Sequence, residues 1–195
     1  VNGRNKRSFR MKNILISLVF VLLFVMVSCD SGTKIDTGNT GDSGNTGDTG
    51  NSGDTGDICP ENDKFCHSQD GLDWSDVSSS YIDWNKAIKY CEDLGGRLPT
   101  ISELRTLIQN CSGTETGGEC GVTDSCLSSE DCWNDPCYGC EYDESGKYSV
   151  FGDTYWFWSS SEWSVHTNYA WYVDFHYGPV LSYYKDYYHS VRCLR

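Results

Sequence analysis

Apolar residues recur at the three- and four-residue spacing of a helix in two stretches of the chain. The first stretch predicts a helix over 84–94, which Asp83 can cap and which the two following glycines would end. The second predicts a helix over 100–110, because Thr100 and Glu103 can form the capping box that begins many helices. The positions predicted to be buried on these helices are Ala87, Ile88, Cys91, Leu94, Ile101, Leu104, Leu107 and Ile108.

Beyond residue 154 the pattern changes to short aromatic and β-branched runs, which are typical of strands. Because side chains alternate along a strand, Trp171, Val173 and Phe175 should share one face. Tyr172 and Asp174 should then share the other. The large residues that we expect in the core are Trp156, Trp158, Trp171 and Phe175. The predicted strands cover 155–158, 170–175, 180–184 and 189–194.

Between these helices and strands lies a cysteine-rich insert over 111–140, with few apolar residues. Such a segment cannot build a core, and we expect disulfides to stabilise it. A single Cys-x-x-Cys pair, Cys137 and Cys140, also permits a zinc site, but structural zinc sites usually contain two such pairs. Disulfides are therefore favoured, without an assigned connectivity, for Cys111, Cys120, Cys126, Cys132, Cys137 and Cys140.

The first 28 residues have the pattern of a secretory signal, with basic residues followed by an apolar run over 14–27. This run is shorter than the roughly 20 apolar residues of a membrane span, and we expect translation to begin at Met11. Met26-Val27-Ser28-Cys29 resembles a bacterial lipobox, which implies that Cys29 is acylated and becomes the new N-terminus. A plain signal peptide with an incidental cysteine is the alternative. Asp30 directly follows this cysteine, and in some bacteria an Asp at that position retains a lipoprotein at the inner membrane. The sequence therefore leaves open which membrane holds the anchor.

Residues 29–57 form a predicted spacer in which glycine recurs every third residue from Gly38 to Gly56. From Gly38 to Asp57 nothing apolar is available to bury, so we expect a flexible tether with a reach of about 30 Å. The same period occurs in collagen, but collagen needs abundant proline and this stretch has none. Weak calcium binding by its Asp and Asn residues is a further alternative. The folded domain is expected over 58–195.

Charge and cysteine content both indicate an extracellular protein. Five of the 15 basic residues and none of the 28 acidic ones precede Asp30, so a chain that begins at Cys29 has a formal charge of −18. This charge repels nucleic acid and anionic surfaces, and no nucleic-acid partner is expected. Eleven cysteines are rare in a cytosolic protein, and acylation of Cys29 leaves an even ten. No cofactor is predicted, although acidic clusters permit a weak calcium site.

Several short motifs lie at 71–75, 90–91, 95–100, 155–161, 170–175 and 191–195, and they include Gly-Arg-Leu-Pro-Thr, Trp-Ser-Ser and a final Val-Arg-Cys-Leu-Arg. The order of these motifs resembles the Legionella collagen-like adhesin C-terminal domain family over residues 70–195, apart from the insert. The resemblance implies an α+β, C-type lectin-like fold, in which two helices pack around small, twisted antiparallel sheets. It also implies a disulfide between Cys91 and Cys193.

The sugar-binding residues of calcium-dependent lectins do not carry over. Trp133-Asn134-Asp135 matches one lectin motif in sequence, but it lies in the insert rather than on a strand near the C-terminus. The second lectin motif, in which Pro stands between Glu or Gln and Asn or Asp, is missing. We therefore predict no metal ligands. The last 41 residues hold eight tyrosines and four tryptophans, and tyrosine is common in binding surfaces. The residues predicted to contact a ligand are Tyr177, Tyr184, Tyr187 and Tyr188.

Three functions follow as alternatives. The favoured one is a lipid-anchored protein of the bacterial cell envelope, at the outer membrane or cell surface, that binds an extracellular glycan or protein. The second is a structural envelope protein without a specific ligand. The third is an enzyme on the same fold, for which Asp174, His176 and the serines at 159–161 are weak candidates, since the Gly-x-Ser-x-Gly turn of hydrolases is absent. We predict no catalytic residues.

Overall fold

The computed structural model describes residues 58–128 and 138–195. The predicted signal, Cys29, the spacer and Trp133-Asn134-Asp135 lie outside the described residues, as do Cys132 and Cys137. No helix among the described residues has the length and apolar character needed to cross a membrane.

The described residues form two helices, a two-stranded hairpin and a three-stranded antiparallel sheet with the order β3-β4-β5. The helices are α1, Trp84–Asp93, and α2, Ile101–Arg105. The strands are β1, His67–Gln69; β2, Leu72–Trp74; β3, Trp156–Glu162; β4, Tyr169–Asp174; and β5, Val180–Tyr184. This architecture confirms the predicted α+β class.

Helix α1 begins and ends where its sequence predicts. The Asp83 side chain accepts a hydrogen bond from the Lys86 backbone N–H at 3.0 Å, as an N-cap does. After the helix, Gly95 has a φ of +90°, which favours glycine. At Gly96 a Cβ atom would lie 2.6 Å from the Leu194 carbonyl oxygen, so the second glycine permits close packing of the C-terminal segment.

Helix α2 has the predicted capping box at Thr100 but ends at Arg105, five residues earlier than expected. The next three N–H groups bond three residues back, with the bond from Ile108 to the Arg105 carbonyl at 3.0 Å. The Gln109 N–H then donates to Tyr148 and the Val150 N–H to the Leu107 carbonyl, each at 3.0 Å. Pairing with a segment some forty residues away therefore replaces the last helical turn.

The three-stranded sheet lies between two clusters of buried side chains. One cluster contains the buried apolar residues of α2 together with Trp171 and Val173, and the other contains those of α1 together with Ala170 and Tyr172. The predicted alternation along β4 is confirmed, and both of its faces are buried. This explains why aromatic residues occur at successive positions of the strand.

Two predictions about the β region are wrong. Trp156 is 45% exposed, because it opens β3 at the edge of the sheet, where its ring meets that of His189 edge-on at 5.5 Å. Residues 189–194 form isolated bridges rather than a strand, since His189 pairs with Ile82, and Leu194 pairs with both Trp74 and Arg97. The C-terminal segment therefore joins separate parts of the domain instead of extending one sheet.

Three disulfides connect described residues: Cys59–Cys66, Cys91–Cys193 and Cys111–Cys140. The second is the bridge that the family resemblance implies, and it joins α1 to the C-terminal segment. The third closes the two ends of the insert. Cys140 is thus bonded to Cys111, which argues against a zinc site at the Cys-x-x-Cys pair.

The insert contributes more to the core than its composition predicts. Cys120 and Val122 belong to the same buried cluster as α2. The reason is Arg105, a buried cation whose guanidinium donates to the carbonyl oxygens of Thr114 at 3.0 Å and Glu115 at 2.8 Å, and also to that of Val122. Arg105 therefore satisfies insert carbonyls that would otherwise be buried without partners.

Candidate functional site

An open cleft of about 550 Å³ lies where the start of α1 meets the loop after β5. Backbone hydrogen bonds fix this meeting: the Trp84 N–H donates to the Lys185 carbonyl at 3.0 Å, and the Lys185 N–H donates to the Asn168 carbonyl at 2.9 Å. The cleft therefore forms from three segments that are far apart in the sequence. The lining residues are Asp83, Asn85, Asn168, Tyr184, Lys185, Asp186 and Tyr188.

Exposed tyrosines form one wall of the cleft. Tyr188 is 58% exposed, and Tyr184 is also exposed. The Tyr184 ring packs on Tyr169 with 4.2 Å between centroids, and a side-chain hydrogen bond between the two raises the pKa of Tyr169 to about 12. The Tyr169 hydroxyl therefore stays protonated at neutral pH, and a tyrosine hydroxyl is able to donate a hydrogen bond to a ligand.

The cationic side chain of the cleft is already engaged. The Lys185 ammonium lies 2.6 Å from the Thr167 carbonyl and 3.0 Å from a Glu162 carboxylate oxygen. It also lies 4.2 Å from the centre of the Trp84 ring. Lys185 therefore holds three parts of the fold together and has little capacity left for an anionic ligand.

Acidic and amide groups set the charge of the cleft. Asp83 accepts from Lys86, whose ammonium is 2.7 Å away, and the side-chain hydrogen bond with Lys86 lowers the pKa of this carboxyl group. Asp186 is exposed, and Asn85 and Asn168 supply neutral donors and acceptors. The cleft is thus polar, aromatic and without a free positive charge among its lining residues.

The four tyrosines predicted as ligand residues do not form one site. Tyr184 and Tyr188 line the cleft, and Tyr187 is linked to it through Tyr183, whose ring centre is 4.4 Å away. Tyr177 is exposed elsewhere and packs on Tyr142 at 4.8 Å. The role of all four in binding stays a prediction.

Tyr177 belongs to a second aromatic surface that also includes the weak enzyme candidates. His176 packs against Tyr142 and Tyr155 at 5.6 Å and 5.9 Å. Its Nδ1 lies 3.5 Å from Asp174, a carboxyl group whose pKa is raised by burial.

Two of the three candidate serines, Ser159 and Ser161, make structural contacts through their hydroxyl groups. Ser159 is buried and its hydroxyl donates to the Trp171 carbonyl at 2.7 Å. The Ser161 hydroxyl oxygen accepts from the Ile101 N–H at 2.9 Å, at the first turn of α2. Both side chains therefore attach β3 to its neighbours.

A buried histidine follows the cleft residue Tyr188. His189 is 2% exposed, and its Nδ1 lies 2.9 Å from the Tyr188 carbonyl, to which it can donate. Its ring packs on Trp158 at 4.0 Å and on Tyr172 at 4.6 Å. Burial among these rings lowers the pKa of His189 to about 4.

This histidine should make the domain acid-sensitive. The unfolded chain takes up a proton near pH 6.5 and the folded chain only near pH 4, so between these values stability falls as the pH falls. At pH 4.5 we expect a loss of about 2–3 kcal/mol relative to pH 7.5 from this group. Denaturant unfolding at both pH values should show that His189→Phe removes this part of the loss, and an equal loss in both proteins would contradict the assignment.

The fold and the cleft together define the class of protein. Two helices, small antiparallel sheets and a disulfide from α1 to the C-terminal segment describe an α+β domain of the C-type lectin-like kind. The Lcl C-terminal domain family matches residues 65–195, and the chain belongs to this family. A search of curated proteins finds no match to the chain. The resemblance seen in the sequence motifs is confirmed.

Proposed function

We propose that this protein is a lipid-anchored component of the bacterial cell envelope whose C-terminal domain binds an extracellular saccharide in the cleft beside α1. The observation that carries the proposal is the cleft itself, where the exposed rings of Tyr184 and Tyr188 share one opening with Asp83, Asn85 and Asn168. Membership of an adhesin domain family supports a role in attachment. The lipid anchor depends on the predicted acylation of Cys29. The distance that the domain can reach from the membrane depends on the predicted spacer.

The chemistry of the lining suits a saccharide. A tyrosine ring offers a flat apolar face on which the C–H face of a sugar can pack, and its hydroxyl adds a hydrogen bond. Carboxylate and amide oxygens accept hydrogen bonds from sugar hydroxyls, and amide N–H groups donate to their oxygens. Binding sites often combine such aromatic area with a few convergent polar groups.

The charge of the cleft favours neutral or amino sugars over sulfated ones. Asp83 and Asp186 contribute carboxylates, and the Lys185 ammonium is held by Thr167 and Glu162. A sulfated chain would also meet the repulsion of a domain with a strong negative charge. We expect an unmodified or amino-bearing saccharide to bind more tightly than its sulfated counterpart.

A glycan array with the oxidised 57–195 domain tests the proposal. The double substitution Tyr184→Ala/Tyr188→Ala should weaken the dominant signal about tenfold or more, since each ring contributes about 0.5–1.5 kcal/mol of aromatic contact beyond its buried area. The matched control is Tyr142→Ala, because Tyr142 is equally exposed but lies on the second aromatic surface.

Retention of every signal by the double variant would contradict the cleft as the binding site. Loss of signal in Tyr142→Ala alone would move the site to the second surface. A cooperatively folded domain that binds no member of the array would favour a structural envelope role, and thermal unfolding with and without calcium would then check for a metal requirement.

A further inference from the structure

Four side chains that can bind a metal lie together at the start of the domain, away from the lining of the cleft. One donor atom from each of Cys59, Cys66, His67 and Asp76 lies within 4.8 Å of the others. The two sulfurs are joined as a disulfide, and His67 Nε2 is 2.8 Å from Asp76 Oδ1. Two sulfurs, one imidazole nitrogen and one carboxylate oxygen make up the group.

Contacts other than the S–S bond hold these donors in place. The Cys59 N–H donates to Asp76 Oδ2 at 2.8 Å, and the Cys66 N–H donates to Cys59 Sγ at 3.1 Å. His67 opens β1, where it pairs with Trp74 of β2, and its ring lies 5.3 Å from that of Phe151. The imidazole and the carboxylate are therefore positioned by the folded domain whether or not the sulfurs are bonded to each other.

This disulfide is more open to reduction than the bridge between α1 and the C-terminal segment. Cys66 is exposed, whereas Cys91 and Cys193 are completely buried. A reducing thiolate must reach a sulfur atom to attack it. The Cys59–Cys66 bridge also spans only 7 residues, so opening it releases less chain entropy than opening a long loop.

We propose that reduction converts this disulfide into a Zn²⁺ site formed by Cys59, Cys66, His67 and Asp76. A dithiol supplies two electrons and two protons, becomes a disulfide itself and leaves two protein thiols. Zinc then displaces both thiol protons to solvent and binds two thiolates, one neutral imidazole and one carboxylate oxygen. Sulfur, nitrogen and oxygen donors in a four-coordinate shell are the ligands that protein zinc sites use.

The two states have different consequences for the start of the domain. In the oxidised state the 59–66 loop is closed by a covalent bond. In the reduced state the metal would close the same loop and would also tie it to β1 through His67 and to Asp76. The site would therefore keep the N-terminal segment of the domain ordered in a reducing environment, independently of the cleft and its ligand.

Zinc titration of the reduced protein tests the inference. A phosphine reduces the bridge by taking oxygen from water as its two protons pass to the sulfurs, and desalting under nitrogen then removes the phosphine. We expect one Zn²⁺ per chain at this site in competition with a chromophoric chelator, and thiolate-to-metal absorption when Co²⁺ replaces zinc. Both signals should vanish in Cys59→Ser/Cys66→Ser, which leaves the other cysteines unchanged.

The two other ligands are tested by single substitutions. His67→Asn and Asp76→Asn should each weaken zinc binding about tenfold or more, and His166→Asn, which changes an exposed histidine elsewhere, should not. Equal binding by the wild type and the double cysteine variant would overturn the proposal. So would undiminished binding in both the His67 and Asp76 variants. The Co²⁺ spectrum of the wild type decides whether thiolates bind even if a variant fails to fold.

Discussion

Replacement of both Cys91 and Cys193 by alanine is expected to lower the free energy of unfolding by about 4–5 kcal/mol. The bridge joins residues 102 positions apart, so without it the unfolded chain gains the entropy of a long open loop. Both sulfurs are completely buried between α1 and the C-terminal segment, and their loss also removes packing in that cluster. Denaturant unfolding of wild type and variant without reductant measures the difference.

The Cys59–Cys66 bridge provides the matched control. It spans 7 residues and includes an exposed sulfur, so its replacement by alanine should cost about 2–3 kcal/mol on the same entropic argument. Equal losses for the two bridges would contradict the dependence on loop length.

Replacement of Arg192 by methionine should destabilise the domain by about 3–5 kcal/mol. Arg192 and Asp153 have side-chain exposures of 6% and 4% and form two hydrogen bonds, each 2.8 Å long. The guanidinium also donates to the Ser75 carbonyl at 2.5 Å and lies 4.9 Å from the Phe151 ring. Without Arg192, the Asp153 carboxylate remains buried without its counter-charge, and this desolvation dominates the cost.

Two further variants test whether the loss of stability comes from burying an unpaired carboxylate. Arg192→Met combined with Asp153→Leu should recover part of the lost stability, because it removes the unpaired carboxylate as well. The pair of Lys89 and Asp93 has side-chain exposures of 71% and 65%, so Lys89→Met should leave the stability of the domain nearly unchanged. A similar cost at both pairs, measured by denaturant unfolding, would refute the argument from burial.

Features determined by neighbouring residues could be predicted from the sequence. The cap at Asp83, the capping box of Thr100 and Glu103 and the alternation along β4 each depend on residues within a few positions of one another. The structure has all three. The family motifs also implied the bridge between α1 and the C-terminal segment, which spacing alone could not have assigned.

Features determined by distant partners could not be predicted. The early end of α2 depends on hydrogen bonds from 148–150, and the burial of Arg105 depends on carbonyls of the insert. Local propensity gives no information about such partners. The composition of the C-terminal segment predicts a strand, but the residues that pair with it lie on several different segments.

The candidate site also has some residues that the sequence predicts and others that depend on distant parts of the chain. The composition predicts exposed tyrosines near the C-terminus, and Tyr184 and Tyr188 line the cleft. The contributions of Asp83, Asn85 and Asn168 have no signal in the sequence, because they depend on how the loop after β5 packs against α1. Asp83 could be identified only as a helix cap.

Chemical modification of tyrosine is the most direct test of saccharide binding in the cleft. Nitration of the folded domain, mapped by mass spectrometry with and without the best-binding saccharide of the array, reports which rings the ligand covers. We expect protection of Tyr184 and Tyr188 and unchanged modification of Tyr142 and Tyr177. Protection of Tyr142 and Tyr177 instead, or unchanged modification of Tyr184 and Tyr188 with every saccharide that binds, would contradict it.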